Sequence, residues 1–204
     1  ELEIIKEYIH DQWIYRIQLF DKNLLRLIEQ NKITLENYHL ISAKLDHEKT
    51  WNKTSRILPP SFAKWFFQSQ FSYELRKVFG EFSVSDEEFL GWPNFYWRLV
   101  RPNEKNDVGP LHRDEWFWKL NPELEKNSEV LKRVKEWITI CTELGLNGLL
   151  IEEKSHKRKD IKWTGELRHG INKPVLLSSE EDLNLILVKR SAGEAIIFDD
   201  ALLH

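Results

Sequence analysis

His112, Arg113 and Asp114 form the only histidine–any–aspartate triplet in a chain that carries seven histidines. On an extended strand, residues i and i+2 point to the same face, so His112 and Asp114 can reach one ion together. Two such ligands and a second, distant histidine make the two-histidine, one-carboxylate set of non-haem Fe(II) oxygenases. That set fills one face of an octahedron and leaves three positions open for a chelating co-substrate and oxygen. The triplet alone is a weak signal, because chance order also produces it. A strand end with a solvated aspartate is the plain alternative.

The elements that must position these residues follow from periodicity. Ile5, Ile9, Trp13 and Ile17 recur every four residues, and Phe20, Leu24, Leu27 and Ile28 extend the stripe, which predicts helix. Asn31-Lys32 interrupts it, and Thr34 is placed to cap a second helix. Pro59-Pro60-Ser61 opens a third, expected over residues 61–78 and closed by Gly80; its aromatic positions Phe62, Trp65, Phe66 and Phe71 predict packing against a sheet. Beyond Gly80 the pattern turns strand-like. Strands are expected over residues 95–101, 134–142, 148–153, 185–188 and 195–198, with a helical insertion over 122–132 and a charged, poorly patterned excursion over 154–179. Helices first and strands later predict a mostly β, α+β fold: an N-terminal helical layer, residues 1–80, on a β core, residues 81–204.

Three segments, in order, resemble the phytanoyl-CoA dioxygenase family of Fe(II)/2-oxoglutarate oxygenases. Gly109-Pro110-Leu111-His112-Arg113-Asp114 resembles its metal motif. The run from Asn147-Gly148 to Ser155-His156 resembles its asparagine-glycine strand and glycine-serine-histidine loop, with Lys154 where glycine is usual. The run from Gly193 through Phe198 to His204 resembles the segment that ends in its distal metal histidine. The resemblance covers residues 95–204, about half the chain. It implies a double-stranded β-helix, that is, a cupin-like jelly roll with helices packed on it, and His112, Asp114 and His204 as iron ligands. It implies Fe(II), 2-oxoglutarate and O2 as cofactor and co-substrates, and hydroxylation of a small organic molecule with release of succinate and CO2. With Asp114 among the ligands, no site is freed for halide, so hydroxylation is expected over halogenation. The family also carries an arginine about ten residues past the distal histidine, which grips the far carboxylate of 2-oxoglutarate. The natural protein is therefore expected to continue past His204 with a further strand and an Arg or Lys.

Other residues are secondary candidates. Arg98 and Arg101 precede the metal motif, and Lys119 follows it; each is a candidate for a co-substrate carboxylate, against the plain reading of a solvated charge. Trp97, Trp116 and Trp118 are candidates for a substrate pocket, against ordinary core packing. Strand alternation would put Trp116 and Trp118 on one face. His156 and, less so, His169 are rivals of His204 as third ligand, whereas Ser155-His156 also fits a structural loop. His10, His39 and His47 are expected to be plain surface or helix residues, and Cys141 a buried small one. Lys157, Arg158 and Lys159 could belong to a lid over an anionic substrate or to a solvated loop.

Composition narrows the classes. The 204 residues are 41% hydrophobic and 31% charged with a net charge of −3, which gives enough apolar content for a core and no basic footprint for nucleic acid. One cysteine excludes an intrachain disulfide and a cysteine-based zinc site. No apolar run reaches the roughly 18 residues that span a bilayer, and no signal peptide is visible, so a cytoplasmic location is the default expectation. No nucleophile elbow or phosphate-cradling glycine loop is present. Two rivals to the oxygenase stand: a non-catalytic jelly-roll module that binds a metal or small molecule, and a cupin-like metal-dependent isomerase or hydrolase. Oligomeric state is not readable.

Overall fold

A computed structural model describes residues 1–204 except 21, 45, 102, 103, 125–131, 143, 146, 147 and 169. Helices and small antiparallel sheets build two compact units, Glu1–Asp107 and Val108–His204. No described helix is long and apolar enough to cross a membrane.

The first unit is helical. In α1 (Leu2–Phe20) the four-residue stripe is the buried one: Ile9, Trp13 and Ile17 are shut from solvent, as are Leu24 and Ile28 of α2 (Lys22–Asn31). The second helix expected after Thr34 is instead two 3-10 turns, Tyr38–Leu40 and Ser42–Lys44. Asn37 Oδ1 accepts from Thr34 N at 2.6 Å, a local side-chain bond that competes with helical pairing. A single turn, α3 (His47–Thr50), follows, capped by Asp46. The helix expected over 61–78 is two helices, α4 (Pro60–Gln68) and α5 (Gln70–Phe79). Ser69 between them is extended, and its hydroxyl accepts from Ser72 N at 3.0 Å, which starts α5 afresh. Gly80, at φ 77°, ends it as expected.

The segment 95–101 is not a regular strand. It makes one antiparallel bridge, Ile57 to Tyr96, flanked by Leu58 N to Phe95 O at 2.8 Å and Trp97 N to Arg56 O at 2.9 Å. Phe95 meets Phe62 and Phe66 of α4 at ring centroid distances of 5.1 and 4.6 Å. Aromatic packing against α4 thus holds this segment in the first unit, and the partner of the α4 aromatics is this extended chain rather than a sheet.

The second unit holds α6 (Asp114–Leu120) and six described strands: β1 (Val134–Ile138), β2 (Leu149–Glu152), β3 (Trp163–Arg168), β4 (Ile171–Leu176), β5 (Leu185–Val188) and β6 (Ala195–Asp199). They pair antiparallel as β1–β6, β2–β5 and β3–β4. Strands β2, β5 and β6 fall where they were expected, and β1 stops at Ile138, short of the predicted end. The supposed excursion 154–179 contains the β3–β4 hairpin. It is mostly exposed, so alternation carried no apolar signal there. Gly165 in β3 lets Leu120 of α6 pack close: a Cβ there would stand 2.6 Å from Leu120 Cδ2 and the leucine would have to shift. Of the expected insertion 122–132, residues 122–124 form a 3-10 turn and 125–131 lie outside the described residues. The core gathers Trp116, Ile161, Leu183 and Leu203, with Leu111, Trp163, Leu176 and Leu185 against them.

Candidate metal centre

The segment leading to His112 is extended, but the chain turns helical at Asp114, the first residue of α6. Contrary to the expected strand alternation, a strand-to-helix junction brings His112 and Asp114 together. Arg113, between them, turns into the protein. Its Nη2 donates to Ser155 O at 2.5 Å and Arg158 O at 3.0 Å, and its guanidinium lies 5.3 Å from the Trp116 ring centroid. Burying Arg113 inward leaves its two neighbours facing the other way.

His204 arrives from the far end of the unit. His112 N donates to His204 O at 2.9 Å, and His204 N donates to His112 O at 3.0 Å. Two residues that exchange both backbone bonds stand directly opposite, with side chains on one face. The rings accordingly meet at a centroid distance of 4.7 Å. Leu203 alternates inward and is fully buried in the core; Ser155 Oγ accepts from its N at 2.8 Å, and its carbonyl accepts from Glu152 N at 3.0 Å. Phe198 of β6 packs edge-on to the His204 ring at 4.9 Å.

The ring nitrogens are then fixed by their partners. His112 Nδ1 is 2.8 Å from Pro110 O, and His204 Nδ1 is 3.0 Å from Leu202 O. A carbonyl only accepts, so each Nδ1 carries a proton, and in the neutral ring each Nε2 presents a bare lone pair. Both Nε2 atoms face Asp114, at 3.6 Å from Oδ1 for His112 and 3.7 Å from Oδ2 for His204. Ligand atoms of all three residues lie within 4.8 Å of one another, the one such group found among the described residues. Asp114 Oδ2 is buried and has no hydrogen bond, although Lys135 Nζ of β1 stands 3.2 Å away.

No protein-family model, curated protein or solved structure matches this chain. Two imidazole lone pairs, one carboxylate and an orphaned buried carboxylate oxygen fit a divalent transition metal. Electrostatics agree. Burial alone would push the Asp114 carboxyl up, but the imidazoles of His112 and His204, when they carry the second proton, and the Lys135 ammonium hold it well below the usual carboxylate range. Burial lowers the His204 imidazole, against the opposing pull of Leu202 O and Asp114, which favours the neutral form that ligates. His112 is the most exposed of the three, its side chain 31% accessible against 19% for Asp114 and 9% for His204, so the group opens on the His112 side.

The other candidates are placed elsewhere. Trp116 is core, stacked on Trp163 at 5.0 Å and 7°. Trp118 packs under Arg133, 4.8 Å from ring centroid to guanidinium. Both sit on α6, where residues two apart point roughly 200° apart, so the expected shared face is corrected. Lys119 is bound to Glu115 at 2.8 Å. Trp97, Arg98 and Arg101 belong to the first unit. Trp97 is buried, donates to Gln12 Oε1 and meets Trp51 at 5.2 Å. Arg98 is exposed. Arg101 is held by Asp107 in a two-pronged pair, 2.8 Å on each prong.

His156 is exposed and takes no part in the group, while Ser155 beside it has the structural role expected of that loop. His169 and Asn147 lie outside the described residues. His47 is not a plain surface residue: Nδ1 is 3.0 Å from Tyr38 Oη and Nε2 is 3.5 Å from Asp107 Oδ1. Cys141 is half-buried. Lys154, where the family pattern carries glycine, adopts the left-handed conformation, φ 62° and ψ 11°. Three contributors escaped the sequence reading: Lys135, Arg113 and the carbonyl of Pro110. Only Pro110 had a signal, as the residue that fixes the approach to His112.

Proposed function

We propose that the chain is a non-haem Fe(II)/2-oxoglutarate-dependent oxygenase that hydroxylates a small organic substrate. The observation that carries this is the convergence of His112, Asp114 and His204, with both Nε2 lone pairs bare and aimed at one carboxylate. These three residues would hold the iron. With 2-oxoglutarate and oxygen, iron supplies oxidative decarboxylation to succinate and CO2 coupled to hydroxylation. His112 and His204 each keep the ligating tautomer through a backbone carbonyl. Asp114 offers the one negative charge of the set. The buried flank of Phe198 and Leu203 keeps water from the closed side, and reactants enter from the His112 side.

The pairing order supports a jelly roll around this centre. His112 pairs with His204; Leu203 pairs with Glu152 at the end of β2; β2 pairs with β5. These bonds line up the His112 segment, the His204 segment, β2 and β5 as successive neighbours, while the regular sheets are the three two-stranded pairs β1–β6, β2–β5 and β3–β4. A left-handed residue at Lys154 explains why a glycine belongs at that point of the family's loop, which favours the resemblance. The partner is a small molecule rather than nucleic acid, given the net charge of −3, and a cytoplasmic setting is consistent with the single cysteine.

The test is an anaerobic titration with Fe(II) and 2-oxoglutarate, watched for the weak visible charge-transfer band. A band that is lost in His112→Ala supports the oxygenase. Iron binding without a band moves the reading to the metal-binding module or the isomerase. No iron binding removes all three.

A further inference from the structure

Among the described residues, Lys135 is the one lysine or arginine that pairs with a member of the candidate centre, and the register of β1 explains why. Lys135 stands opposite Phe198 of β6, and the Phe198 ring packs on His204. Directly paired residues share a face, so the lysine side chain leaves β1 on the side that carries the ligands. Its Nζ ends 3.2 Å from Asp114 Oδ2, the buried oxygen with no hydrogen bond, while His204 Nε2 stands 3.7 Å from the same atom. An ion held by His204 and Asp114 would have to occupy the space beside that oxygen. The ammonium and the ion therefore compete for one carboxylate.

Charge arithmetic sharpens the competition. Asp114 and Lys135 together are neutral. A divalent ion added with the ammonium still in place would bring the local sum to +2 around two uncharged imidazoles. The lysine side chain is 41% accessible, and its four-carbon stem is flexible, so the ammonium can turn out to solvent without moving β1.

We propose that Lys135 is the resident counter-cation of the metal-free centre, holding the place beside Asp114 that a divalent ion takes, and that metal loading is an exchange in which the ammonium swings outward. This rests on the reading of His112, Asp114 and His204 as metal ligands. Lys135 is a positioning residue: it holds the buried Asp114 carboxylate in place until the metal arrives. No proton need leave the lysine.

The exchange makes a prediction of sign. A residue that merely orients a ligand weakens metal binding when it is removed, by about 10–100-fold. A competing counter-cation does the opposite. Calorimetric titration of the full chain with Ni(II) should show Lys135→Met binding roughly tenfold more tightly than the unaltered protein, the inverse of an orienting effect. Lys135→Arg, which keeps the charge, should bind more weakly than Lys135→Met. Thermal unfolding gives the second readout. Without metal, Lys135→Met should melt a few degrees lower; with saturating Ni(II) the deficit should vanish. Lys135→Gln repeats the test should the methionine variant fail to fold. Weaker or unchanged Ni(II) binding in the neutral variants overturns the exchange. If neither the unaltered chain nor any variant binds Ni(II), the metal-ligand reading itself falls.

Discussion

His112 and His204 exchange both of their backbone hydrogen bonds, at 2.9 and 3.0 Å, although they lie at opposite ends of their unit's sequence. This rung, rather than the His112-Arg113-Asp114 spacing, sets the geometry of the centre. It fixes the two rings side by side, and the nearby carbonyls of Pro110 and Leu202 set their tautomers.

Removing a ligand should therefore act on metal binding before it acts on the fold. Asp114→Ala takes away the only charged ligand, and Ni(II) or Fe(II) affinity should fall at least about 100-fold, with far-ultraviolet circular dichroism unchanged. Full turnover in that variant would sink the assignment.

Ser155→Ala tests the buttress. The Ser155 hydroxyl is the acceptor for Leu203 N, and both residues are fully buried. The variant leaves that N–H unpaired at a cost of about 1–3 kcal/mol, read as a lower denaturation midpoint. Since His204 is the next residue, metal affinity should fall as well.

Lys154→Gly should go the other way. Lys154 holds φ 62°, a conformation that costs an L-residue with a side chain roughly 1–2 kcal/mol and glycine almost nothing. Glycine's larger unfolded-state entropy offsets part of the gain. A net stabilisation of about 0.5–1 kcal/mol is expected from urea unfolding. A destabilised variant would mean that the lysine side chain makes up for its backbone.

Glu136 gives a pH signature. Burial pushes its carboxyl up to about 7, and its Oε1 is buried with no hydrogen bond. The native state thus binds a proton more readily than the unfolded chain between the ordinary glutamate range and pH 7. Its contribution is favourable in acid and is lost as pH rises through 7. Glu136→Gln should stabilise the protein by roughly 1–3 kcal/mol at pH 8 and hardly at all at pH 4. A uniform shift at both pH values would refute the burial argument.

In the first unit, Asp107 is the hub of a buried polar group. It accepts both prongs of Arg101 and faces His47 Nε2 at 3.5 Å. Asp107→Ala strands the Arg101 charge and should cost on the order of 3–5 kcal/mol. A change within 0.5 kcal/mol, measured by thermal unfolding, would show the pair to be solvated in practice.

The site was legible as residue types and the fold as coarse class. The apolar runs Leu149–Glu152, Leu185–Val188 and Ala195–Asp199 stand out because turn residues flank them. The β3–β4 hairpin did not, since Glu166, Arg168 and Lys173 interrupt it and Pro174 sits in its second strand opposite Gly165. Helix α6 gives no helical signal in sequence, because Arg113, a poor cap, stands where a start signal would be, and Trp116-Phe117-Trp118 mimics alternation. Segment 95–101 has the right composition for a strand but finds only Ile57 as a bridge partner. Lys135 was illegible in principle. Its importance comes from β1 facing β6 across sixty-odd residues of intervening chain, and no local pattern encodes that register.

The rung between His112 and His204 has a kinetic side. The loop it closes runs roughly ninety residues, and closing so long a loop costs chain entropy before any contact repays it. His112 and His204 are expected to meet late, after the hairpin and the β2–β5 pair have shortened the path between them. A bound ion would then act as a clasp on the finished unit, much as a disulfide does across a long loop. Chelation would be felt first in the rate at which the native state opens, and only afterwards in its secondary structure.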